Sequence, residues 1–138
     1  MTILVDTDAF IAIESSNDAL HKRAVTLLEH IQDYQVRYWT TWDVVDEVAT
    51  KLSYFLSKQQ SLDFLQFLDT EGVQISYPNK KRHAKAVSLF AEIVSKRVSL
   101  TDCINMVAAA ELKIDYIFSF DKIYQQHKIM LLEQILQK

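Results

Sequence analysis

The sequence predicts an α/β fold, a three-layer sandwich with a central parallel sheet of four to five strands flanked by helices. Three observations predict it. Short β-branched or aromatic runs alternate along the chain with stretches of helical periodicity, an order that pairs strands in parallel through helical crossovers. The 138 residues and 16.0 kDa suit one core, so residues 1–138 are expected to form a single domain. Hydrophobic residues at 49% and charged residues at 24% match a packed globule and argue against disorder or a fibrous repeat.

Ile3 to Val5 is an aliphatic run that stops at Asp6-Thr7-Asp8, where capping residues open a helix. From Asp18 to Ile31 the residues Ala19, Leu20, Ala24, Leu27, Leu28 and Ile31 recur at helical spacing. An extended segment from Tyr34 to Trp39 follows, and Thr40 and Thr41 cap the next helix. That helix carries Val44, Val45, Val48, Leu52, Phe55 and Leu56 on one stripe. Ser57, with Gln60 three residues on, resembles a capping box before Leu62, Leu65 and Leu68, so two consecutive helices follow strand two. Gly72 and Pro78, the single glycine and single proline, bracket a third strand at Val73 to Tyr77, and Asn79 caps a helix holding Ala86, Val87, Phe90, Ile93 and Val94. Ser99 to Asp102 opens a helix that is apolar almost all round from Cys103 to Ala110. Asp115 to Phe120 is the fourth strand, ending at Asp121, and a short helix and a tail with Ile129 to Leu132 close the chain. The aromatic middle, Trp39, Trp42, Tyr54, Phe55, Phe64 and Phe67, is expected to be mostly core.

One glycine excludes the dinucleotide fingerprint, the P-loop and the serine-hydrolase elbow, each of which needs at least two. The lone Cys103 builds no internal disulfide or thiolate zinc site and is expected to be a small buried hydrophobe. His21, His30, His83 and His127 have no zinc spacing. No apolar run reaches the roughly 18 residues of a membrane span, and MTILVDTD lacks a basic signal lead-in, so the expected location is the cytoplasm. A net charge of −3 argues against coating nucleic acid by bulk electrostatics and leaves room for local contact.

Ligands of an open parallel sheet bind beyond the carboxyl ends of its strands, so acids placed there come first. Asp6 follows strand one, Glu47 lies in the second turn after strand two, Asp102 opens the apolar helix and Asp121 follows strand four. Each has a local explanation: Asp6 and Asp121 as caps, Asp102 in a box with Ser99, Glu47 paired with Lys51. Taken together, four acids at one edge repel each other unless a cation sits among them, and their hard oxygens suit Mg²⁺ or Mn²⁺.

ILVDTDAF, TTWDVVDEVATKL, SLTDCINMVAAAEL and YIFSFDK resemble, in order and over nearly the whole chain, the motifs of PIN-domain ribonucleases, including VapC-like toxins of toxin–antitoxin pairs. The resemblance implies a PIN-like fold and a metal-dependent endoribonuclease that hydrolyses RNA phosphodiester bonds. It places Asp6, Glu47, Asp102 and Asp121 on the catalytic and metal-binding quartet, with Thr7 and Ser119 as hydroxyl neighbours. In many members the helix after the third acid carries a further acid, where this chain has Asn105. The implied partners are RNA, a cognate antitoxin and a second copy of the chain.

Other readings remain open. Asp6-x-Asp8 also resembles the opening of haloacid-dehalogenase-like phosphatases, with the first acid as nucleophile and the second as general acid, but Phe10 stands where that family has Thr or Val. A receiver domain needs a phosphoacceptor after strand three, where Tyr77-Pro78-Asn79 stands. A noncatalytic interaction module with structural acids is the main alternative. Lys80, Lys81 and Arg82 crowd a helix start that the macrodipole makes unfavourable for cations, so they are candidate RNA contacts, with Lys122 as a rival.

Overall fold

A computed structural model describes residues 1–137. Strand β1 (Thr2–Val5) leads into helices α1 (Thr7–Glu14) and α2 (His21–Ile31). Strand β2 (Arg37–Thr41) is followed by α3 (Trp42–Phe55) and α4 (Lys58–Thr70). Strand β3 (Gln74–Ser76) leads into α5 (Lys80–Glu92) and α6 (Leu100–Glu111). Strand β4 (Tyr116–Phe118) precedes the short α7 (Ile123–Gln126) and a 3₁₀ segment, Leu132–Gln137. The four strands form one parallel sheet in the order β3-β2-β1-β4, and Leu131 adds a single parallel bridge to Ile117 beyond β4. Among the described residues no helix is long and apolar enough to cross a membrane.

Alternation along β1 and β4 divides the core. Ile3, Val5, Tyr116 and Phe118 face α1 to α4, where Phe10 meets Phe64 edge-on at 5.1 Å. Leu4 and Ile117 face the other way, against α5, α6 and α7. The helix starts follow the capping residues. Asp6, Thr41, Ser57, Asn79 and Ser99 each have a side chain that accepts a first-turn amide. Thr40 differs from its expected capping role: it lies inside β2 and its hydroxyl donates to the Val5 carbonyl.

The buried faces of two helices differ from the expected stripes. On α4 the buried residues are Ser61, Phe64 and Leu68, and Leu62 and Leu65 are exposed, because the Ser61 hydroxyl donates to the Ala49 carbonyl on α3. On α5 only Ala86 is buried, Leu89 and Ile93 pack beside it, and Val87, Phe90 and Val94 point to solvent. The aromatic middle divides likewise. Phe64 is core and Phe67 packs against it, whereas Trp42, Tyr54 and Phe55 are exposed. Helix α3 ends at Phe55, so the stripe that is buried through Leu52 runs off the core one turn later.

Candidate active site

All four expected acids converge at the carboxyl edge of the sheet. Asp6, Glu47, Asp102 and Asp121 line one crevice of about 770 Å³, together with Thr7, Asp8 and an apolar side formed by Ile11, Leu20, Phe55 and Leu56. Each also makes the local bond that its sequence position suggested. Asp6 caps α1 by accepting from the Thr7 amide at 2.8 Å. Asp102 and Ser99 form a reciprocal capping box at 2.8 and 3.0 Å. Glu47 meets the Lys51 ammonium at 3.0 Å, and its other oxygen accepts from the Thr7 hydroxyl at 3.1 Å. Asp121 accepts from the Ile123 amide at 3.1 Å. The local bonds of these residues therefore coexist with their convergence on one crevice.

Beneath the crevice lies a closed polar network that the sequence only partly revealed. Asn105 is fully buried. Its amide donates to Asp6 Oδ1 at 3.1 Å and to the Tyr124 hydroxyl at 3.0 Å, and its oxygen accepts from the Thr41 hydroxyl at 2.8 Å. Tyr124 donates its proton to Asp6 Oδ2 at 2.9 Å, with Asp102 Oδ1 at 3.4 Å, the long end of hydrogen-bond range. Burial pushes the Tyr124 phenol well above its ordinary value, so it stays a donor. Asn105 therefore acts beneath the site and does not line it. No sequence signal marked Tyr124, because its four-residue helix has no periodicity to read and its partners come from the cap of α1 and from α6.

Asp8 is the second residue that the motif reading left out of the quartet. Its Oδ2 accepts from the Phe120 amide at 2.9 Å and from the Ser119 hydroxyl at 3.3 Å, while Oδ1 is buried with no hydrogen-bond partner. Ser119 thus acts on Asp8, and also accepts from the Asp121 amide at 3.1 Å. The doublet Asp6-x-Asp8 directly after a strand was the available signal.

Burial, with a smaller push from neighbouring charge, shows in the proton affinities. Burial, reinforced by the charge of Asp8, raises the Asp6 carboxyl to about 7. Burial also raises Asp8 and Asp102, each with a smaller push from Asp121. An acid raised in the folded state holds its proton while the unfolded chain releases it. From about pH 4 to about pH 7 the folded state thus loses stability as pH rises, and above that the deficit is constant. In chelator, the denaturation midpoint is expected to fall between pH 5 and pH 7.5, with a cation-dependent recovery at the higher pH. A midpoint that climbs over that interval in chelator contradicts this electrostatic picture.

The donor set fits a hard divalent cation in kind: all oxygen, acidic, gathered at one crevice, with an orphaned carboxylate oxygen on Asp8. Among the described residues no three His, Cys, Asp or Glu side chains form a ready cage. Asp6, Glu47 and Asp102 spend oxygens on Thr7, Tyr124, Ser99 and Lys51, bonds that a cation would share or displace.

The basic residues fall out differently from one another. Lys80, Lys81 and Lys122 are exposed. Arg82 departs from the expectation of a free phosphate contact. Its side chain is only 12% exposed, pairs with Glu111 at 2.8 Å and donates to the Ser76 hydroxyl, clamping α5 to α6 and β3.

The PIN domain family model matches residues 3–129. A curated VapC ribonuclease from Archaeoglobus fulgidus is 32% identical over 124 residues, covering 88% of this chain and 78% of that protein. Among solved structures, VapC20 of Mycobacterium tuberculosis, described as a Sarcin-Ricin loop cleaving toxin, superposes with a TM-score of 0.82 at 17% identity, over 93% of this chain and 96% of that one. VapBC-1 from nontypeable Haemophilus influenzae and VapBC2 from Rickettsia felis, the latter bound to a promoter DNA fragment, each give a TM-score of 0.70. Their identities are 15% and 14%, over 95% of this chain and 96% of theirs. These likenesses establish the three-layer fold around a parallel sheet.

Proposed function

The chain belongs to the PIN-domain family, and from that premise we propose that it is a cytoplasmic endoribonuclease, the toxin of a toxin–antitoxin pair, dependent on Mg²⁺ or Mn²⁺. The observation that carries the reading is the convergence of Asp6, Glu47, Asp102 and Asp121 on one crevice, with Asp6 buried and electrostatically strained. When bound, the cation supplies charge stabilisation to the nonbridging phosphate oxygens and acidifies water. Asp6 and Asp102 would hold it, with Asp121 and Asp8 completing the negative field. Tyr124 and Asn105 aim Asp6 by fixing both of its oxygens. Glu47, which lines the crevice and is steadied by the Thr7 hydroxyl, would accept a proton of the attacking water. Lys51, bound to the other Glu47 oxygen, adds a positive charge at the rim.

The apolar side of the crevice suits the antitoxin. Phe55 is 79% exposed and stands with Leu56, Ile11 and Leu20 beside the acids, so an amphipathic antitoxin segment lying there would bury apolar surface and block the site together. The neighbouring exposed residues Tyr54, Leu62 and Leu65 are where a second copy of the chain would pack. Cleavage of RNA should vanish in EDTA and return with Mg²⁺ or Mn²⁺. Full activity in chelator refutes the cation dependence, and no cleavage under any divalent cation refutes the nuclease reading.

A further inference from the structure

Two aromatic rings stand exposed at the same sheet edge and take no part in the acidic site. Thr41 pairs in register with Ser76, so Trp42 and Tyr77 are the first residues past the ends of adjacent strands. Their rings stack on each other, centroids 5.8 Å apart and planes at 26°. Trp42 is nevertheless 42% exposed and Tyr77 61%. Rings serving only as a lid over the strand ends would be buried.

Their setting is built and charged. Thr41 donates to Asn105 and so ties the residue before Trp42 to the network under Asp6, while Pro78 restricts the backbone of Tyr77. Lys80 and Lys81 follow immediately, exposed on a first turn with no acidic residue. Asp43 is the acid that shares the adjoining cleft with Tyr77 and Arg82, and Glu111 already occupies Arg82. Because β2 lies next to β1, the pair sits roughly 5–10 Å along the edge from Asp6, a reach that a few nucleotides span.

The geometry points to a nucleobase platform: Trp42 and Tyr77 stack an unpaired base of the RNA substrate while Lys80 and Lys81 hold the flanking phosphates. This deepens the ribonuclease reading and rests on it. Stacking on an aromatic face accepts any base and rejects duplex, whose bases are already stacked, so the platform selects single-stranded loops. It accounts for the coincidence of exposed aromatic rings with the exposed Lys80 and Lys81 at the site's own edge.

The test uses the full chain in EDTA, where cleavage plays no part, and an unstructured oligoribonucleotide as probe. Trp39→Phe leaves Trp42 as the single tryptophan. Its fluorescence should be quenched by this RNA and not by the same sequence in duplex. Trp42→Ala and Tyr77→Ala should each weaken binding about 5- to 100-fold with the salt slope unchanged. Lys80→Ala and Lys81→Ala should flatten that slope by about 0.7 each. Wild-type RNA affinity in both aromatic variants overturns the platform, as does Trp42 fluorescence that follows protein concentration and ignores RNA, which marks a protein contact. Cleavage in Mn²⁺ is measured on the same samples. Its loss in the wild-type chain sinks the nuclease reading, whereas its retention beside unaltered aromatic-variant binding sinks the platform alone.

Discussion

Asp6→Asn should lose RNA cleavage by about a thousandfold or more and, in chelator at pH 7.5, unfold later than the wild-type chain. Asn caps a helix as well as Asp does, so the bond from the Thr7 amide survives. The new amide donates to the Tyr124 hydroxyl, which turns its own proton toward Asp102. What disappears is a buried charge whose carboxyl is raised from 3.8 to about 7, and relieving that strain gives on the order of 4 kcal/mol, at about 1.4 kcal/mol per unit of displacement. On the proposed reading Asp6 is a ligand of the cation, and its loss would remove the charge stabilisation on which phosphodiester hydrolysis depends. Thermal melts with and without Mn²⁺ check both halves. Mn²⁺ should raise the wild-type midpoint and leave the variant nearly still. A variant that melts earlier in chelator and still cleaves RNA identifies Asp6 as a cap alone and takes it out of the cation site.

How far the sequence carried this site depends on the kind of signal. Helix starts were legible because capping is local chemistry: Asp6, Thr41, Ser57, Asn79 and Ser99 act on amides two or three residues away at most. The acidic quartet was legible for a related reason, since each acid sits just past a strand or at a helix start and a parallel sheet sends all such ends to one edge. The buried faces of α4 and α5 were not. Apolar residues at 61–68 and 86–94 offer two stripes one position apart. The choice fell to a serine that found a carbonyl on α3, and to Arg82, whose pair with Glu111 turns its side of α5 toward α6. Asp8 and Tyr124 were missed because their roles are wholly long-range. Asp8 is bonded to residues 111 and 112 positions away, and Tyr124 to one 118 positions away. Nothing in a local window distinguishes such a tyrosine from an ordinary core aromatic.

Tyr124→Phe tests that hidden layer. The substitution keeps the ring and its packing and removes one oxygen, which bonds Asp6 and reaches Asp102 at the long end of range. One hydrogen of the Asn105 amide then has no acceptor in a fully buried place, and Asp6 Oδ2 loses its donor. Stability should drop by about 1–3 kcal/mol, the cost of stranding a buried polar group. With the one hydrogen bond to its Oδ2 gone and the two to Oδ1 left, Asp6 is held less firmly in a single orientation, and outer partners of this kind typically contribute 10- to 100-fold to metal affinity or activity. The Mn²⁺ concentration for half-maximal cleavage should therefore rise by about that factor. The readout separates positioning from bulk stability, because a merely structural tyrosine lowers the melting point and leaves the Mn²⁺ midpoint where it was. Thr41→Val supplies the graded comparison: it cuts the network one bond further out, at Asn105 Oδ1, and should shift the Mn²⁺ midpoint in the same direction by less. An equal or larger shift in Thr41→Val than in Tyr124→Phe would assign the aiming of Asp6 to Asn105 and not to the phenol.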